Sequence, residues 1–153
     1  MMYWLLTVGV LTASLLGQAD AYPTGAPKAA CATLEPQHDS NDSPIHSDLY
    51  AIFVEVVDDI QLKVTLNTTG KEFKGFILAA DDPTGVLTPL DSHAQVLDCP
   101  DQPTVTHTSR VLKQSVTLHW QRDTGLAAVN FLATAVTAYE DDYITGISYS
   151  YSP

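Results

Sequence analysis

Apolar and polar residues alternate with a period of two over much of the chain after residue 50. Because successive side chains of a strand point to opposite faces, this pattern predicts strands with one face in a core. The alternation is cleanest in residues 61–66 and 115–120. The residues predicted to face the core are Leu62, Val64 and Leu66 in the first segment and Val116, Leu118 and Trp120 in the second.

A continuous apolar segment interrupts this alternation at residues 73–80, Phe-Lys-Gly-Phe-Ile-Leu-Ala-Ala. Its length is that of a strand, and Asp81-Asp82-Pro83 after it predicts a turn. Gly75 would weaken such a strand unless another group packs closely over it. We predict a central strand buried on both faces, and its predicted core residues are Phe73, Phe76, Ile77 and Leu78.

Short segments of the same kind, separated by turns, continue to the end of the chain. The predicted strands are residues 50–57, 61–66, 73–80, 94–98, 104–109, 115–120, 128–137 and 143–151. Short strands between turn signals, without a helix of ten residues, predict an all-β antiparallel sandwich. Residues 22–48 contain four prolines and lack periodicity, which predicts an extended N-terminal arm.

The first 21 residues predict a cleaved secretion signal. Residues 4–16 are apolar and uncharged, and Ala19-Asp20-Ala21 matches the pattern that precedes a signal-peptidase cut. The alternative is a membrane anchor, but a bilayer requires about 20 apolar residues. We therefore expect a secreted, extracellular protein with a single domain at residues 22–153.

Charge and cysteine content add two constraints. The formal net charge of −11 argues against nucleic acid and anionic membrane surfaces as direct electrostatic partners. In an oxidising compartment the two cysteines, Cys31 and Cys99, predict one disulfide, with two free thiols as the alternative.

Several segments, in order along the chain, carry a family resemblance. They are residues 22–27 (Tyr-Pro-Thr-Gly-Ala-Pro) with Cys31, residues 73–80, Leu97-Asp98-Cys99, Thr106-His107-Thr108, residues 115–120 and residues 129–134 (Val-Asn-Phe-Leu-Ala-Thr). With these segments the chain resembles a reeler (reelin-type) domain, and specifically the small secreted insect-type defence proteins. The resemblance implies an immunoglobulin-like β-sandwich in which a Cys31–Cys99 disulfide ties the arm to the body.

The same resemblance implies a role in innate immunity, either antimicrobial or by binding microbial surface components. Two positions depart from the family pattern, with Asp81 where a basic residue is common and Tyr143 where Trp is common. An acidic, β-rich chain is unlike a membrane-active peptide. We therefore expect loops to recognise microbial glycans or lipids without membrane insertion. The alternative is an extracellular matrix protein of cuticle or mineralised shell, which the acidic composition also fits.

The sequence contains no motif for catalysis. It lacks a Gly-x-Ser-x-Gly elbow and a free thiol paired with histidine. His107, between two threonines of a predicted strand, is interpreted as a hydrogen-bonded structural histidine rather than a catalytic base. We predict no enzyme activity and no cofactor.

Two groups of residues offer possible metal ligands. His38-Asp39, Asp42, His46 and Asp48 offer nitrogen and oxygen donors, but their spacing matches no zinc motif, and solvated loop residues are the preferred interpretation. The acidic runs Asp58-Asp59, Asp81-Asp82 and Glu140-Asp141-Asp142 would form a calcium site only if they met at one end of the sandwich. Charged turns explain them equally well, so no metal site is predicted.

One modification site is predicted. Asn67-Thr68-Thr69 is an N-glycosylation sequon in a predicted turn. Asn41-Asp42-Ser43 also matches, but Asp in the middle and Pro44 after it make it a poor acceptor.

Overall fold

The alternating segments pair into the two sheets of a β-sandwich. A computed structural model describes residues 22–36, 43–137 and 142–153, and the predicted signal peptide lies outside these ranges. A 3-10 helix at Lys28–Cys31 is the only helix among the described residues. The strands are β1 Ser43–Ile45, β2 Tyr50–Val56, β3 Gln61–Thr68, β4 Phe73–Ala80, β5 Val86–Pro89, β6 Ala94–Leu97, β7 Thr104–His107, β8 Ser115–Gln121, β9 Val129–Thr137 and β10 Asp142–Tyr151.

The strands divide into a six-stranded and a four-stranded sheet. The order in the larger sheet is β1-β10-β9-β4-β7-β6, and the order in the smaller sheet is β2-β3-β8-β5. Neighbouring strands are antiparallel throughout, except that β1 runs parallel to β10. The predicted antiparallel sandwich is therefore confirmed.

Two strands, β1 and β5, were not predicted from the pattern. Both lie at sheet edges, and each contains a proline, Pro44 in β1 and Pro89 in β5. Proline lacks the N–H needed for a ladder on both sides, so strands tolerate it mainly at an edge. Their short length and their prolines made these segments look like loops.

The inward faces of the two sheets form the main core. The apolar residues of β3 are fully buried, and each lies opposite an apolar residue of β8. These pairs are Leu62–Trp120, Val64–Leu118 and Leu66–Val116, as the alternation predicted. The Trp120 ring also meets Phe131 of the other sheet edge to face, with centroids 5.9 Å apart. This aromatic contact joins the two layers.

Gly85 closes over the Trp120 indole in the turn before β5. A Cβ at this position would lie 2.0 Å from two atoms of the six-membered ring. Non-bonded carbon atoms do not approach so closely, and the buried indole has no room to move. Glycine is therefore required here by the space that Trp120 occupies.

Strand β4 lies between β9 and β7 in the middle of the larger sheet. On its inner face, Phe76 and Leu78 contribute to the main core. On its outer face, Ile77 and Ala79 form a second apolar cluster with two residues of the N-terminal arm, Ala30 and Leu34. The prediction of a central strand buried on both faces is confirmed, because the arm covers the face that would otherwise meet solvent.

Of the acidic runs, Asp58-Asp59 and Asp81-Asp82 lie in the described part of the chain, where no three His, Cys, Asp or Glu side chains form a group able to hold a metal ion. Asp81 follows β4 and accepts hydrogen bonds from the backbone and side-chain nitrogens of Asn130. Asp82 pairs with Arg122 at 3.0 Å. Glu140 and Asp141 lie outside the described residues.

Asn67 lies in β3, not in a turn as predicted. The strand runs to Thr68, which is fully buried, and the turn begins at Thr69. Alternation along β3 continues through the Asn-Thr pair because Thr68 fills an inward position in the core. The predicted turn is therefore wrong by two residues, whereas glycosylation of Asn67 stays a prediction.

Candidate functional site

The N-terminal arm, residues 22–36, lies across the outer face of the six-stranded sheet. Cys31 is bonded to Cys99, as predicted, and the two Cα atoms are 5.6 Å apart. Near the disulfide, the exposed Lys28 ammonium lies 2.6 Å from the Asp98 carboxylate. The covalent bond ties the arm to the connection between β6 and β7.

Strand β7 holds the first part of the arm through two side chains. The Ala26 N–H donates to Oγ1 of Thr106 at 2.9 Å, and the Thr106 hydroxyl donates to the Phe76 carbonyl at 2.8 Å. Nε2 of His107 lies 3.0 Å from the Tyr22 carbonyl. These bonds satisfy backbone groups of the arm, which therefore packs as part of the domain.

His107 is a buried, neutral histidine whose ring accepts a backbone hydrogen bond from the neighbouring strand β4. The side chain is 6% exposed, and its Nδ1 accepts the Phe76 N–H at 3.2 Å. Nδ1 must therefore be unprotonated, which leaves Nε2 to donate to Tyr22. Burial lowers the pKa of His107 and favours this neutral form. The predicted structural role is confirmed.

The His107 ring also explains Gly75. A Cβ on Gly75 would lie 3.1 Å from Cε1 of His107, closer than ordinary van der Waals contact. The prediction that another group packs closely over this glycine is therefore confirmed, and the group is an imidazole from the neighbouring strand.

Lys113 is a buried lysine that organises the loop after β7. Its Nζ donates three hydrogen bonds, to the carbonyl oxygens of Lys74 and Ser109 at 2.8 Å and of Val111 at 2.5 Å. Burial lowers the pKa of Lys113 to about 8. All three protons of the ammonium are used, so the side chain braces this loop against the start of β4.

A cavity of about 40 Å³, here named the arm cavity, remains between the arm and the outer face of β4 and β9. A slot of this size holds a short alkyl segment, whereas pockets for drug-sized ligands measure about 300–1,000 Å³. Its walls are mostly apolar. The apolar wall residues include Ala26, Pro27, Ala30, Ile77 and Val136.

Polar groups border this apolar slot. Thr134 of β9 is 3% exposed, and its hydroxyl has no hydrogen-bond partner among the described residues. The ammonium of half-buried Lys74 likewise has no ion-pair partner in the described ranges. Arg110 and Glu35 are exposed at the cavity. The arrangement combines an apolar slot and the Thr134 hydroxyl with two cations and the carboxylate of Glu35.

The pattern of the sequence did not reveal this cavity. Lys74 inside an apolar strand was a signal, since a charge there must reach the surface or a partner. Thr134 and Arg110 have no distinctive local pattern; pairing of β4 with β9 and β7 brings them near Lys74, and the arm closes the cavity over them.

The structure describes only some of the possible metal ligands. His38, Asp39 and Asp42 lie outside the described residues, and His46 and Asp48 are exposed. In the parts of the chain that the structure describes, no three His, Cys, Asp or Glu side chains form a group able to hold a metal ion.

Comparison with known proteins identifies the family. The reeler domain model matches residues 29–147, which is most of the chain. The chain belongs to the reeler domain family. As a fold, this reeler domain matches the human F-spondin reeler domain with a TM-score of 0.59 at 17% identity, over 74% of this chain and 94% of that one. The predicted family and fold are confirmed.

Two relatives that this reeler domain matches over most of their length have names that refer to defence. It is 33% identical over 146 residues to "Putative defense protein 3" of Antheraea mylitta, covering 88% of each chain. It is 36% identical over 137 residues to "Defense protein l(2)34Fc" of Drosophila melanogaster, covering 83% of this chain and 86% of that protein. The names of these two relatives suggest a role in defence.

A third relative differs in size. The reeler domain is 32% identical over 150 residues to "Ferric-chelate reductase 1" of Mus musculus, which covers 88% of this chain but 25% of the reductase. The similarity spans about a quarter of that protein.

No helix among the described residues is long and apolar enough to cross a membrane. A disulfide-bonded reeler domain is typical of extracellular proteins.

Proposed function

We propose that this reeler domain is an extracellular defence protein that binds acylated, anionic molecules of microbial surfaces and catalyses no reaction. Two relatives that match over most of their length are named defence proteins. The arm cavity is the observation that carries the ligand class, because it places an apolar slot beside the Lys74 ammonium.

The dimensions of the arm cavity favour the end of an acyl chain. A volume of about 40 Å³ accepts a few methylene groups, and each buried methylene contributes about 0.8 kcal/mol. A phosphate or carboxylate near the mouth would meet the Lys74 ammonium, and charge-assisted hydrogen bonds are about twice as strong as neutral ones. The Thr134 hydroxyl would bond an ester or hydroxyl oxygen of the chain.

The titratable groups near the cavity support binding rather than catalysis. Both ring nitrogens of His107 are engaged by backbone groups of Phe76 and Tyr22. The Lys113 ammonium donates to three carbonyl oxygens. A general base or nucleophile needs a free lone pair that reaches substrate, and neither residue offers one.

Binding to microbial lipids tests this function. Purified protein is mixed with phosphatidylcholine vesicles that contain lipopolysaccharide, lipoteichoic acid or neither, and the bound fraction is measured by sedimentation. We expect binding only to the acylated microbial glycolipids. Lys74→Gln should weaken it about tenfold or more, since a charged hydrogen bond contributes about 1.5–3 kcal/mol. Thr134→Val, which keeps the volume, should weaken it less.

Lys63→Gln is the matched control, because Lys63 lies on the opposite sheet in an ion pair with Glu55. It should bind like the wild type. Equal binding by Lys74→Gln, Thr134→Val and the wild type would place the ligand site outside the arm cavity. Failure to bind any microbial lipid, whole bacteria or fungal walls would refute the proposal. Retention on chitin or calcium carbonate alone would favour the matrix function instead.

A further inference from the structure

Phe53 is an exposed aromatic residue on a mostly polar sheet face. The side chain is 55% exposed in β2, on the outer face of the four-stranded sheet. It lies opposite Thr65 of β3, which in turn lies opposite Thr117 of β8. Leaving a large ring in water forgoes the free energy of burial, so a group that covers this ring would be favourable.

Asn67 lies on the same face, one pair further along. Alternation along β3 directs Leu66 and Thr68 inward and leaves Asn67 on the outer side. Its partners in register are Ala51 on β2 and Ser115 on β8, both with short side chains. The Asn67 amide therefore has space on either side.

The register makes Phe53 and Asn67 diagonal neighbours. Phe53 pairs with Thr65, two residues before Asn67 on the same strand. Diagonal residues of this kind are about 7–8 Å apart, within reach of an aromatic ring and a group larger than a side chain. A pyranose ring attached to Asn67 would span this distance.

Two further features suit Asn67 as a glycan acceptor. Thr69, which completes the sequon, is exposed. The Cys31–Cys99 disulfide indicates folding in an oxidising compartment, where N-glycosylation also takes place. The other sequon, at Asn41, is a poorer acceptor because it has Asp in its middle position and Pro44 directly after it.

We propose that Asn67 carries an N-linked glycan whose first N-acetylglucosamine packs on the exposed ring of Phe53. The donor is a lipid diphosphate-linked oligosaccharide. The bond between C1 of its first sugar and the phosphate oxygen breaks, and Nδ2 of Asn67 forms a bond to C1. Nδ2 loses one proton to a base of the transferase, the lipid diphosphate leaves, and nothing is oxidised or reduced.

This glycan would make the two outer faces of the sandwich differ in accessibility. It covers the outer face of β2, β3 and β8, where Phe53 would otherwise attract other chains. The arm and the arm cavity, on the six-stranded sheet, are not covered by this glycan. Glycosylation thus prevents association through one face and leaves the other accessible.

The first experiment tests the modification. The full chain is expressed in the secretory pathway of insect cells that retain high-mannose glycans, and the intact mass is measured before and after peptide-N-glycosidase treatment. We expect the loss of one glycan mass from the wild type, and no change for Asn67→Gln or Thr69→Ala. Asn41→Gln should behave like the wild type. An unshifted wild-type mass, or a glycan that persists in Asn67→Gln, would overturn the proposal.

The second experiment tests the packing. Endoglycosidase H trims the glycan to a single N-acetylglucosamine, and the melting temperature is compared with that of Asn67→Gln. We expect the trimmed protein to melt about 2–4 °C higher, the shift that one aromatic contact gives a domain of this size. In a Phe53→Ser background the difference should vanish, and in Phe53→Tyr it should persist. An equal difference in all three backgrounds would refute packing on Phe53.

Discussion

Replacing His107 with Gln tests whether a buried neutral imidazole makes this domain sensitive to mild acid. Burial lowers the pKa of His107 from 6.5, hydrogen bonds to the Tyr22 and Phe76 carbonyls oppose this, and the nearby charge of Lys113 lowers it further. In the unfolded chain the imidazole titrates near 6.5. Below that pH the unfolded state therefore binds a proton that the folded state does not.

Linkage gives the sign and the size of the effect. Because the unfolded state binds more protons, the free energy of unfolding decreases as the pH falls from 6.5 to the folded pKa of His107. The slope reaches at most about 1.4 kcal/mol per pH unit for one proton. Protonation of Nδ1 would remove the acceptor of the Phe76 N–H, but burial of the charged ring is the main reason why the folded state disfavours it. Asp82 and Asp98 have lowered pKa values and act with the same sign, but only in stronger acid.

Urea unfolding of the wild type and His107→Gln between about pH 5 and 7.5 measures this slope. At neutral pH the variant should be less stable by about 1–3 kcal/mol, because the buried Phe76 N–H and the Tyr22 carbonyl lose their partner. The difference in unfolding free energy between wild type and variant should decrease as the pH falls, because only the wild type loses stability through His107. His119→Gln, on the outer face of β8, is the control and should keep the wild-type slope. A gap that stays constant between pH 6.5 and 5 would refute the reasoning.

Three further substitutions test the packing. Gly85→Ala should destabilise the fold by about 1–3 kcal/mol through the clash with Trp120. Trp120→Phe removes the clashing ring. In a double-mutant cycle measured by urea unfolding, Gly85→Ala should therefore cost less in the Trp120→Phe background. Phe76→Ala should cost about 3–5 kcal/mol because the ring fills the main core, and a loss under 1 kcal/mol would contradict that packing. Replacing Cys31 and Cys99 together by Ser opens a loop with a separation of 68 residues and should cost about 4 kcal/mol, so an unchanged melting temperature would contradict it.

Prediction from the sequence was most successful where a strand has a single buried face. The alternating residues of β3 and β8 have one period and one environment, so the inward side chains could be assigned residue by residue. The same logic located β4, because an apolar run with a turn after it has few other structures available. Two cysteines in a chain with a predicted secretion signal have one possible partner each.

Prediction was least successful at edges and at places built by distant segments. Edge strands need only one ladder, so β1 and β5 carry prolines and lack a clear pattern. Asn67 was assigned to a turn because the local composition of Asn, Thr and Gly favours one. Pairing with β2 and β8 extended the strand instead, since the buried Thr68 gained a place in the core.

The sequence by itself determined the β class, the inward faces of the main strands, the central position of residues 73–80 and the disulfide-tied arm. These depend on local periodicity and on cysteine number. Only the tertiary structure decided that the His107 ring replaces strand backbone beside Gly75, and that Lys74 and Thr134 border one cavity. Such features arise when an arm about 80 residues distant in sequence docks on a sheet, and no local pattern encodes the shape of the space left between them.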